Sequence, residues 1–147
     1  MMRRSLMIAG IALGLGLAVN FTIAYTTFAP RPFDLGLGHT LLSHGRDSSL
    51  PSDHGTFLWS LAFGLMITRS LRWLGIVIFG LGLATAWARV YLGVHFPLDM
   101  AASFVIALAA AAIARASAGK LDRVLFRPIE RLNAVLLRPL HRSRAED

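Results

Sequence analysis

Hydrophobic positions fall into four stretches separated by short polar connections. Residues 5–30 contain no charged side chain, exceeding the ~20 residues that a membrane-crossing helix requires. Three shorter stretches follow at 54–68, 73–88 and 100–114. Fifteen residues of helix rise only ~22 Å, so these three are expected to recruit flanking residues, with Arg69, Arg72 and Arg115 snorkelling outward. The pattern predicts an all-α integral membrane helical bundle of about four spanning helices over residues 1–118. Residues 119–147 read differently. Leu121, Val124, Leu125, Ile129, Leu132, Val135, Leu136 and Leu140 recur at helical spacing, with Arg123, Arg127, Arg131 and Arg138 between them and Pro128 and Pro139 as interruptions. Two short helices of a basic amphipathic cytoplasmic tail are expected there, lying on anionic membrane lipids.

Composition agrees with a membrane protein. The 147 residues are 55% hydrophobic and 16% charged, with a mean hydropathy of +0.59 and no Cys. That excludes a disordered chain, a disulfide-stapled module and a thiolate zinc site. The net charge of +7 suggests no nucleic-acid partner, because the basic residues flank apolar runs. With the N-terminus cytoplasmic, the inner side holds Arg3, Arg4, Arg69, Arg72 and the eight Lys and Arg residues from Arg115 onward. The outer side holds only Arg31, Arg46 and Arg89. This imbalance predicts a multi-pass protein of the cell (inner) membrane with both termini cytoplasmic. The Met-Met-Arg-Arg start also suits a signal peptide, but the uncharged run is longer than such a segment needs, so an anchor is expected.

His39, His44, His54, His95, Asp34, Asp47, Asp53 and Asp99 all fall on that outer side. Ser52 is a candidate N-cap, which puts His54 and Gly55 in a first helical turn whose free N–H groups attract an anion. Gly55 would let the anion approach the backbone. Pro97 suits a first helical position and places Asp99 in the first turn. Asp99, four residues after His95, can accept a hydrogen bond from one ring nitrogen, which fixes the tautomer and leaves the other free to attack. Arg31 and Arg89 offer planar forks for phosphate oxygens. Together these groups suit phosphoryl transfer without a metal: His95 as nucleophile, Asp99 orienting it and His54 protonating the leaving oxygen. Taken singly, His39 and His44 read as loop residues and Asp53 as a partner of the helix dipole.

The order Arg31-Pro32, Pro51-Ser52-Asp53-His54, then Arg89, His95 and Asp99 resembles the type-2 phosphatidic acid phosphatase superfamily, whose signature reads K-x6-R-P, P-S-G-H, S-R-x5-H-x3-D. The stretches Arg31-Pro32-Phe33, Gly38-His39-Thr40 and Ser49 to Phe57 are similar to its bacterial undecaprenyl-diphosphatase branch, where Asp commonly stands between Ser and His. The resemblance covers roughly residues 20–114. It implies a metal-independent, cofactor-free phosphatase with a phosphohistidine intermediate and a site facing outside or periplasm. By position, Arg31, Ser52, Gly55 and Arg89 would bind phosphate, and His95, His54 and Asp99 would be catalytic. The implied substrate is a polyprenyl or lipid phosphate, best matched by undecaprenyl diphosphate, with phosphatidic acid or phosphatidylglycerol phosphate as alternatives.

This sequence departs from the pattern at three places. Ala24 stands where the signature has Lys, and Ala88 where it has Ser. Family members usually carry about six spanning helices. The counterparts of the first two are therefore expected to be missing, in a fragment, a chain starting downstream of its true start, or one completed by association, a homo-oligomer included. Two rival classes remain. A metal-dependent hydrolase would ligate through His95, Asp99 and His54, which the neighbouring arginines oppose. A non-catalytic lipid-binding or assembly protein would retain the motifs alone.

Overall fold

The computed structural model describes residues 2–37, 45, 47–126 and 128. Each apolar stretch becomes a helix: α1 (Met2–Thr26), α2 (Asp53–Met66), α3 (Arg72–Tyr91) and α4 (Pro97–Leu121). Two 3-10 turns, Pro32–Leu35 and Arg69–Leu71, sit in the connections. No strand occurs among the described residues, as the all-α reading requires.

Among the described residues, three segments are long and apolar enough to cross a membrane: Met2–Thr26, Arg69–Tyr91 and Pro97–Val124. α2 is the exception to the expected four. Its fourteen residues rise ~21 Å against a hydrocarbon core of ~30 Å. The helix packs against the other three and half of its residues are buried, with Asp53, His54 and Phe57 exposed near its start. Gly64 lies against Ala9 of α1, Trp59 and Met66 against Gly82 and Gly75 of α3, and Gly55 against Ser103 of α4. Aromatic rings complete the centre. Phe104 of α4 meets Trp59 at 5.4 Å and Phe63 at 5.2 Å in edge-on geometry, with Phe79 of α3 beside them.

Around that aromatic centre the interior is rich in small and hydroxylated residues, while many bulky apolar ones face outward. Ala9, Ala12, Ser60, Ala62, Ser103 and Ala107 are buried, whereas Phe21, Ile76, Leu81, Leu83, Val105 and Ile113 are exposed. Lipid tails solvate large apolar side chains as well as a protein core does, so close packing of small residues holds the helices together. Trp87 and Tyr91 stack at 6.5 Å on the exposed face near the end of α3, the position of an interfacial aromatic belt.

The Gly64 contact yields a stability test. A Cβ there would lie 2.5 Å from the Cα of Ala9 and 3.1 Å from its backbone nitrogen, atoms that cannot rotate away. Gly64→Ala is expected to cost about 1–3 kcal/mol by forcing α1 and α2 apart. Gly14→Ala, with nothing within 4 Å, is expected to leave the thermal midpoint in detergent unchanged or slightly raised.

The chain divides into two compact units, residues 1–115 and 116–147. Of the second, the last turns of α4 and a π-helical turn at Asp122–Phe126 are described. The two short helices expected across the tail lie, beyond that turn, outside the described residues.

Candidate active site

Two connections at one end of the bundle, α1–α2 and α3–α4, build the site. After α1 the chain runs extended and is tied to the segment preceding α2: Ser49 N–H donates to the Ala29 carbonyl at 2.9 Å, and Ala29 N–H donates to Ser48 Oγ at 3.3 Å. Arg31 follows and enters the 3-10 turn. The Asp34 carboxylate accepts its backbone N–H at 3.2 Å, which stops the turn from rotating. On the opposite side, Gly93 ends α3 with a left-handed φ of +70°. Val94 and His95 N–H then fold back onto the Arg89 carbonyl at 3.2 and 3.3 Å. The expected Pro97 start of α4 follows, with Asp99 in its first turn.

His95 is 3% exposed and Asp99 4%. His95 Nδ1 lies 2.9 Å from the Ser49 carbonyl oxygen and 3.3 Å from Asp99 Oδ2. Both are acceptors, so Nδ1 carries the proton and Nε2 keeps its lone pair. Asp99 is itself held by Phe96 N–H at 2.8 Å and by the Ser49 hydroxyl. Ser49, fully buried, is a residue that motif reading left without a role, and it sets the tautomer more closely than Asp99 does.

Arg31, 4% exposed, donates from Nη1 to the Val94 carbonyl at 2.8 Å and faces His95 Nε2 at 3.3 Å. Its Nε and Nη2 both reach Asp47 Oδ1 at 2.9 Å, and Nη2 also reaches the Ser48 carbonyl at 3.4 Å. All five donors of the fork are thereby engaged. Of these partners, Asp47 is an exposed side chain, with 66% of it accessible, whereas the others are backbone carbonyls or the buried imidazole. The Asp47–Arg31 pairing went unforeseen because nothing in the spacing links the two residues.

Arg89 contributes its carbonyl to the turn that holds His95. Its Nε is buried and has no hydrogen-bond partner among the described residues. The guanidinium lies within electrostatic range of Arg31, Asp53 and Asp47.

The beginning of α2 matches the sequence reading in position and differs in detail. Ser52 occupies the N-cap position, yet its hydroxyl makes no capping bond and is buried without a partner among the described residues. Ser103 of α4 does the anchoring: its Oγ accepts Ser52 N–H at 2.8 Å and lies 2.9 Å from the Ser52 carbonyl. Gly55 is buried against α4, where a Cβ would stand 3.1 Å from Ser103 Cβ and 3.3 Å from Trp59, so helix packing demands glycine there. Asp53 and His54 are exposed in the first turn. Asn20, buried in α1, donates to Asp53 Oδ1 at 3.0 Å and accepts from Thr56 Oγ1 at 2.7 Å. A buried amide in a spanning helix is the signal that marks it, since such a group must find partners. The structure thus brings Arg31, His95 and Asp99 into direct contact, with Ser52 and Gly55 linked to α4 through Ser103.

A cavity of about 620 Å³ opens beside this cluster, lined by Phe21, Thr22, Ala24, Tyr25 and Thr26 of α1 with Asp47, Ser48 and Asp53. Ala24, the departure from the signature lysine, therefore faces two carboxylates. His39, His44 and Arg46 lie outside the described residues.

The family model for the PAP2 superfamily matches residues 5–123. The chain belongs to the PAP2 superfamily. It is 42% identical over 90 residues to YbjG of Escherichia coli (strain K12), provisionally named an undecaprenyl-diphosphatase, covering 61% of this chain and 45% of that protein. It is 37% identical over 107 residues to undecaprenyl-diphosphatase BcrC of Bacillus subtilis (strain 168), covering 72% and 54%. The chain thus spans about half the length of the curated relatives it matches. The crystal structure of Aquifex aeolicus LpxE superposes with a TM-score of 0.67 at 24% identity, covering 76% of this chain and 67% of that one, and shares the fold.

Proposed function

We propose that this chain hydrolyses a lipid-linked phosphate, best matched by undecaprenyl diphosphate, at the end of the bundle that carries His95. The observation that carries the reading is the buried imidazole whose Nδ1–H is fixed by Ser49 and Asp99 while its Nε2 faces the Arg31 guanidinium. The names of the matched relatives support the substrate class.

In this reading Nε2 of His95 attacks the terminal phosphorus and a P–N bond forms. The bridging P–O bond breaks, and undecaprenyl phosphate departs with a proton from His54. Water then attacks the phosphohistidine, its proton passes to His54, and the P–N bond breaks to release inorganic phosphate. Arg31, Arg89, the Ser52 hydroxyl and the first-turn N–H groups near Gly55 hold the equatorial oxygens. The end bearing Arg3, Arg4, Arg69, Arg72 and Arg115 faces the cytoplasm, so the chemistry occurs at the outer leaflet of the cell membrane. The test is phosphate release from undecaprenyl diphosphate by purified protein in EDTA. His54→Ala is expected to slow it by about 10²–10⁴-fold while an activated aryl phosphate, which needs no proton, loses far less. Equal losses on both substrates would remove His54 as the acid.

A fully engaged Arg31 accepts phosphate by exchanging a partner, and the exposed Asp47 carboxylate is the one free to swing out. Asp47→Asn is expected to lower KM about 2–5-fold with kcat little changed, the scale of a partly exposed ion pair. A rise in KM would instead assign Asp47 to holding Arg31 in place. A second reading, a non-catalytic binder of lipid phosphate, is favoured by Ala24 where the signature has its lysine. It predicts substrate retention without turnover.

A further inference from the structure

At the opposite end of the bundle, three arginines from separate segments line one cavity of about 310 Å³: Arg4 from the first turn of α1, Arg69 from the 3-10 turn before α3, and Arg115 from α4. Ile8, Ile67, Thr68 and Ser70 complete the lining. The volume falls at the lower end of small-molecule sites. No carboxylate lines the cavity among the described residues, so three guanidinium groups face one space without an anion from the wall. The polar wall is held in place, since Ser5 Oγ, fully buried, bonds to Thr68 Oγ1 and to Ser70 Oγ at 3.1 Å.

We propose that this cavity binds the phosphate group of an anionic phospholipid from the adjoining leaflet. Guanidinium forks match phosphate oxygens, and the Thr68 and Ser70 hydroxyls add neutral donors. The lipid source follows from the remaining wall. Ile67, partly exposed and backed by the buried Ile8, offers an apolar surface that a free phosphate would leave unused and that glycerol and the first acyl carbons cover. Arg69 and Ile67, two residues apart, place charge beside apolar surface, as a lipid presents its headgroup and tails. Arg72 supplies the internal comparison: it is an exposed arginine of the same end that does not line the cavity. General attraction between a basic face and an anionic membrane would use it equally.

The experiment is thermal unfolding of the purified full chain in neutral detergent with added short-chain phosphatidylglycerol, phosphatidylcholine or inorganic phosphate. Phosphatidylglycerol at about a hundredfold excess over its Kd is expected to raise the midpoint by about 5 °C or more. Phosphatidylcholine and inorganic phosphate are expected to raise it by much less. Arg4→Gln/Arg115→Gln is expected to abolish the shift, and Arg72→Gln to retain it. Arg31→Lys, changed at the far end of α1, is also expected to retain it, separating this cavity from the His95 site. Equal shifts with inorganic phosphate would overturn the lipid assignment. Equal losses in Arg72→Gln and in the double variant would reduce the effect to surface charge and overturn the site. Should the double variant lose its own transition, native mass spectrometry of Arg69→Gln decides instead: retained phosphatidylglycerol at wild-type level overturns the proposal.

Discussion

His95→Ala is expected to lower phosphate release from undecaprenyl diphosphate by on the order of 10⁴-fold or more, the scale seen when a covalent nucleophile is removed. The expectation rests on how much of the fold is spent on one ring. Gly93 turns the chain so that His95 N–H meets the Arg89 carbonyl, the Ser49 carbonyl and Asp99 fix the proton on Nδ1, and Arg31 lies 3.3 Å from Nε2. An imidazole placed merely to fill space would not need its tautomer set from two sides. Alanine removes the lone pair and leaves the backbone bonds of the turn intact, so the variant should elute as the wild type does, with a lower thermal midpoint because the buried Ser49 carbonyl loses its donor. Phosphate release equal to wild type from such a variant would end the phosphatase proposal and favour the non-catalytic binder.

The second large effect is expected at Arg31. Arg31→Lys keeps the charge and removes the fork, and should reduce kcat/KM by about 10²–10³-fold, as loss of a transition-state donor does. One ammonium group cannot reach Asp47, the Val94 carbonyl and His95 at once, because Asp47 pairs with Nε and Nη2 while the other two meet Nη1. Part of the loss should appear as a lower thermal midpoint, since the buried Val94 carbonyl is left without its donor. Dividing the loss between kcat and KM separates the two contributions. A change confined to stability, with kinetic constants at wild-type values, would make Arg31 a structural residue only.

Much of this was legible before any coordinates. Long uncharged runs leave a helix as the only backbone able to satisfy itself in lipid, so α1, α3 and α4 could be drawn from hydrophobicity alone. The Pro97 start of α4 and the N-cap position of Ser52 followed from local backbone preferences. Other features had no such signal. Gly55 read as an opening for an anion, and its packing against Ser103 and Trp59 had no signal in the chain. Ser49 and Asp47, ordinary loop residues by type, bind His95 and Arg31 because the segment before α2 is tied to the segment after α1. α2 looked like a fourth span cut short, and its length makes sense only when three longer helices pack against it.

Amino-acid order alone determined which segments are helical, which end of the bundle is basic, and which histidines, arginines and carboxylates share the other end. Those properties depend on near neighbours along the chain and on the solvent each segment prefers. Tertiary structure alone decided that Asp47 occupies the fork of Arg31, that a backbone carbonyl sets the His95 tautomer, and that Arg4, Arg69 and Arg115 surround one cavity. Each of these joins residues many positions apart through contacts of about 3 Å or a shared wall, and such distances are set by how helices pack.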